Sequence, residues 1–115
     1  MDVESIREYC LSFPDATEDV QWENDLLFRI GGKIFAGVPL DPAAPSALTF
    51  KCTPEKFSEL IEREGIGPAA YVGRYKWVAL ESFNALPDPE IKELIRTSYD
   101  LVSAKLPKSK RTGKK

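Results

Sequence analysis

Gly31-Gly32 joins two apolar segments, 26–30 and 33–38, and no other feature of the chain restricts its fold as tightly. Consecutive glycines admit the positive φ that a two-residue hairpin turn requires at both central positions. If Ile30 pairs with Lys33, then Leu26, Phe28, Ile30 and Phe35 point to one face of the hairpin, and Leu27, Arg29, Ile34, Ala36 and Val38 to the other. Both faces are then mostly apolar. One is expected to lie under helices. The second would be wet in an ordinary small antiparallel sheet, so its apolar content calls for further cover, self-association or a binding role.

The helices that supply the first cover are legible from their spacing. Val3, Ile6, Tyr9, Cys10 and Phe13 recur at intervals of three and four, behind an Asp2 N-cap and ahead of Pro14. Thr53 and Pro54 open a second helix, with Phe57, Leu60 and Ile61 as its stripe and Gly65 at its end. Asp88 and Pro89 open a third, whose buried side carries Ile91, Leu94, Ile95, Leu101 or Val102, and Leu106. Segments 47–52 and 77–82 alternate as strands, whereas 15–25, the Pro-rich 41–45 and 66–76 read as connections. The order is α-β-β-β-α-β-α. It implies an α+β domain over residues 1–106, with an antiparallel sheet packed against N- and C-terminal helices, and a basic tail at 107–115 expected to lack regular structure.

Chemistry is narrowed by what the 115 residues lack. There is no histidine, which removes His-dependent triads, Cys₂His₂ zinc sites and HExxH metalloproteases. Cys10 and Cys52 stand too far apart for a CxxC motif, and Cys10 falls on the apolar stripe of the first helix, where a buried thiol acts as a small hydrophobe. Nucleotide-binding glycine loops and nucleophile elbows are absent, and carboxylate pairs such as Glu18-Asp19 read as solvated charge. The expectation is a non-enzymatic protein without metal or cofactor. No basic leader precedes an apolar run and no segment is long enough for a membrane helix, so a cytoplasmic protein without a membrane partner is expected.

Charge is unevenly spread. Of sixteen basic residues, six lie at Lys105 and beyond, where there is no acid; residues 1–104 therefore hold ten bases against eighteen acids, a net −8 within a chain of −2. The densest group of cations beside aromatics is 71–77, where Arg74 and Lys76 alternate with Tyr71, Tyr75 and Trp77. Arginine and lysine meet phosphates while aromatic faces stack on bases, so Lys51, Arg74, Tyr75, Lys76 and Trp77 form a candidate nucleic-acid surface. The competing reading makes Trp77 a packing anchor and lets the cations lie over apolar surface. Trp22, in an acidic connection, is a candidate lid or cleft wall.

Four segments in this order and spacing, Tyr9-Cys10-Leu11, 13–19, 31–36 and 74–78 (Arg74-Tyr75-Lys76-Trp77-Val78), resemble those of the MmcQ/YjbR family of small bacterial proteins. The likeness spans nearly all of residues 1–106. It implies a frataxin-like (CyaY-like) α+β fold, a DNA-binding module described as a double wing, and no established catalytic residues. DNA is the partner this resemblance implies; the alternative is a protein- or small-ligand-binding domain, homodimeric in one form, that uses the second sheet face or a cleft by Trp22.

Overall fold

The computed structural model describes residues 1–21, 24–70 and 72–107. Its elements run α1 (Val3–Leu11), β1 (Thr17–Gln21), β2 (Asp25–Ile30), β3 (Lys33–Pro39), β4 (Leu48–Lys51), α2 (Pro54–Leu60), β5 (Ile66–Pro68), β6 (Trp77–Leu80) and α3 (Asp88–Ser103), with a 3₁₀ turn at Gly73–Tyr75 before β6. Six strands form one antiparallel sheet ordered β1-β2-β3-β4-β6-β5. This is the α+β architecture expected, with two strands added in segments that the sequence presents as connections.

Both added strands lie at sheet edges, which explains why their residues do not look like strand. β1 is acidic, yet its acids are matched: Arg7 of α1 grips Glu18 through two hydrogen bonds of 2.8 and 2.7 Å, and Arg29 of β2 reaches Asp19 at 3.0 Å. β5 has three residues and ends on Pro68, which an edge strand tolerates because one of its sides needs no N–H. Gly65 stands beyond the Ile61 C-cap of α2 rather than at the helix end. Asp2 caps α1 as expected, exchanging hydrogen bonds with Ser5 at 2.8 and 2.9 Å.

α1 and α3 run side by side in the same direction over one face of the sheet. The Tyr9 hydroxyl donates to the Lys92 carbonyl at 3.0 Å, and the Tyr99 hydroxyl to that of Pro14 at 2.7 Å. Beneath them Phe28, Phe35, Phe50, Leu48 and Val78 are fully buried with Ile6, Ile91 and Ile95. Phe13, Phe35 and Tyr99 form an aromatic knot, with ring centroids 4.7 to 5.9 Å apart.

One irregularity corrects the facing of the central hairpin. Gly31 and Gly32 adopt φ +58° and +82°, and Ile30 pairs with Lys33 as the turn dictates. Past that point β3 carries an extra residue: Arg29 pairs with Ile34, but Phe28 pairs with Ala36. Phe35 is the bulge, so Phe35 and Ala36 both point into the core. Ala36 and Val38, expected on the second face, therefore lie against the helices, and Gly37 takes their place on the second face. The bulge is fastened by Ser98, a fully buried polar side chain of α3. Its hydroxyl donates to the Phe35 carbonyl at 2.6 Å and accepts from the Lys51 N–H at 3.0 Å.

Candidate functional site

The helix-free face of the sheet holds a row of small side chains. Register places Leu27, Gly37, Thr49, Ala79 and Gly67 side by side across β2, β3, β4, β6 and β5. Four of the five are Gly, Ala or Thr, so the middle of this face is sunken, while Leu27, Ile34 and Trp77 rise around it. The resulting groove is about 910 Å³, within the size range of small-molecule sites. Close packing accounts for one of its two glycines, and the other simply leaves the groove open. A Cβ on Gly37 would come 3.0 Å from Thr49 Oγ1, and one on Gly67 would enter open groove with nothing within 4 Å.

Loops close the groove at both strand ends. On one side the chain after Pro68 turns back over the sheet, tied by the Ala69 N–H to the Trp77 carbonyl at 3.0 Å and tightened by the 3₁₀ turn. Gly73 lets that turn settle on Pro68, since a Cβ there would stand 2.8 Å from the proline ring. At the other end the 40–46 loop is held by the Asp41 carboxylate, which accepts from the Ala43 N–H at 2.9 Å, and it sets Pro45 and Ser46 against the groove. Asp25 and Glu81 stand on this rim. Among the described residues no basic side chain lines the groove.

The five residues singled out as a nucleic-acid surface do gather at one end of the sheet, but they point in different directions. Lys51 is opposite Trp77 in the ladder, and its ammonium donates to the Tyr75 carbonyl at 2.6 Å. Burial first, and then nearby Lys105, pull the Lys51 amine below the usual lysine range. Arg74 lies over the exposed Tyr75 ring, 4.9 Å from its centroid, and donates to that hydroxyl at 2.9 Å. Lys76 takes a left-handed backbone conformation and turns toward α2, where its ammonium sits 5.1 Å from the Phe57 centroid. Trp77 joins the groove instead. Arg29 is bound to Asp19 and to the Gly32 carbonyl. Trp22, Tyr71 and the tail from Lys108 onward lie outside the described residues.

The row of small residues escaped sequence reading because its members come from five strands, one of them read as loop, and because the bulge inverts Gly37. Its available signal was the alternation of Thr49 and Ala79 with large core residues on either side. Both cysteines are buried and unpaired; burial pushes the Cys10 thiol up to about 12 and that of Cys52 to about 11. Among the described residues no three Cys, Asp or Glu side chains gather as a metal-ligand group, and no helix is long and apolar enough to cross a membrane.

Comparison with known proteins gives a consistent picture. Uncharacterized protein YjbR of Escherichia coli K12 is 26% identical over 115 residues, covering 96% of this chain and 95% of that one. The crystal structure of the Deinococcus radiodurans protein DR2400, described as a DUF419 domain, superposes with a TM-score of 0.82 at 24% identity, over 95% of this chain and 84% of that one. A Pseudomonas syringae protein does so with a TM-score of 0.73 at 25% identity, over 89% of this chain and 99% of the other. With the YjbR family model matching residues 11–101, which hold the whole six-stranded sheet, α2 and most of α3, the chain belongs to the YjbR family.

Proposed function

We propose that this protein is a non-enzymatic binding module whose site is the groove on the helix-free sheet face, and that its ligand is a flat, largely apolar small molecule. The observation that carries this reading is the row Gly37, Thr49, Ala79 and Gly67, which makes a depression in a face otherwise built of Leu27, Ile34 and Trp77. Apolar concavity of this size with a few polar groups at its rim is the usual form of a small-ligand site. Among the described residues nothing beside the groove pairs a nucleophile with a base, and burial keeps the thiols protonated. Nile red, a neutral planar dye, tests the reading. The wild-type chain brightens the dye, and Gly67→Phe, which fills the groove from an edge strand, abolishes the effect without lowering the melting temperature. Equal brightening by both proteins would sink it.

A second reading, DNA binding, draws on the stacked and exposed Arg74–Tyr75 pair with Lys51 and Lys105 at the same sheet end. Phosphate contacts there would give affinity that falls steeply with salt. Fluorescence anisotropy with DNA and RNA across a salt series is the check: affinity unchanged in Lys51→Ala/Arg74→Ala, or absent at low salt, removes it.

A further inference from the structure

The charge around the groove is one-sided. Among the described residues, Asp25, at the start of β2, and Glu81, just past β6, are the two ionisable side chains in its lining, and neither has an ion pair or side-chain hydrogen bond there. The other acid of this sheet face, Asp19, is neutralised by Arg29 at 3.0 Å. Asp25 and Glu81 share one end of the sheet, three strands apart, which at the usual strand spacing is about 14 Å. Lys51 occupies the opposite end of the same face. Both carboxylates stand at the edge of a largely apolar hollow, which screens an approaching cation on that side less than bulk water does. An anion would meet the same two charges as repulsion.

Resting on the groove as the binding site, we infer that its ligand is a flat apolar molecule bearing a cationic amine, oriented with the amine at the Asp25 and Glu81 rim and the apolar body over Gly37, Thr49 and Ala79. Charge complementarity thus sets ligand class and direction together.

Three naphthalene probes of similar bulk separate the two claims: 1-naphthylmethylamine, 1-naphthalenemethanol and the carboxylate 1-naphthaleneacetate, each titrated into the ¹⁵N-labelled full chain at low salt. All three are expected to move the Gly37, Thr49, Gly67 and Ala79 amide signals, with the amine binding about fivefold or more tighter than the acetate. Asp25→Asn/Glu81→Gln should bring the two affinities within about twofold, whereas Asp19→Asn should leave the preference intact. Probes that bind alike in the wild type, or a preference that survives the double variant, overturn the cationic ligand and leave the groove standing. Failure of every probe to move the groove amides, or equal binding to Gly67→Phe, overturns the groove itself.

Discussion

Replacing Ser98 by alanine removes a single oxygen from the protein and strands two backbone groups. The Ser98 hydroxyl donates to Phe35 O at 2.6 Å and accepts from Lys51 N at 3.0 Å, and the side chain is fully buried. Water cannot step in without opening the packing of α3 on β3 and β4. An unsatisfied buried donor or acceptor costs about 1–3 kcal/mol, so two together should cost about 2–4 kcal/mol after partial relaxation. For a domain of this size that corresponds to a melting temperature lower by roughly 10 °C. Urea unfolding followed by circular dichroism measures the difference, with Thr97→Ala on the same helix as the control, because its hydroxyl only returns to the Glu93 carbonyl of its own turn. Thr97→Ala should stay within about 0.5 kcal/mol of wild type. A Ser98→Ala loss no larger than that control would refute the argument that this hydroxyl fastens the bulge.

The remaining predictions address the turn, the thiols and the groove wall. Gly31→Ala should destabilise by about 1–3 kcal/mol, since alanine disfavours φ +58° and its Cβ would sit 2.6 Å from Leu106 Cδ1. Gly32→Ala, with nothing within 4 Å, should cost less, and chemical denaturation of the pair gives the comparison. Native protein should be inert to a thiol reagent at pH 8 and react at both cysteines once unfolded in urea, because burial keeps Cys10 and Cys52 protonated. Their folded thiols titrate above the ordinary value of 9.0, so the unfolded chain releases these protons first and stability should fall as pH rises from about 9 toward 11; a flat profile there contradicts the assignment. Gly73→Ala should push the 3₁₀ turn off Pro68 and weaken Nile red binding several-fold with little change in melting temperature, read by dye titration.

The parts of the fold that depend on neighbours in sequence were readable from it. Asp2 with Ser5, Thr53 with Pro54 and Gly31-Gly32 act within one turn of chain, so residue type alone decides them. β1 and β5 were not readable, because an edge strand is defined by its partner: Glu18 and Asp19 look like loop residues until Arg7 and Arg29 come into reach. The candidate patch was readable as a cluster and not as a set of directions. Nothing local announces that Lys76 will turn to Phe57 while Trp77 turns to the groove. The second apolar face was expected from alternation, but its membership was shifted by one residue at Phe35.

That shift makes the groove depend on the local path of the β3 backbone as distinct from the residue types that line it. Were β3 to run past Phe35 in regular alternation with every residue kept, Ala36 and Val38 would come onto the helix-free face and Gly37 would swing into the core. The hollow would fill with a valine, and a void would open beneath the helices where that valine had packed. The bulge itself, rather than any residue of the lining, therefore decides whether this face is hollow or closed: losing Phe35 outright would cost the core one phenyl ring and leave Gly37 on the helix-free face.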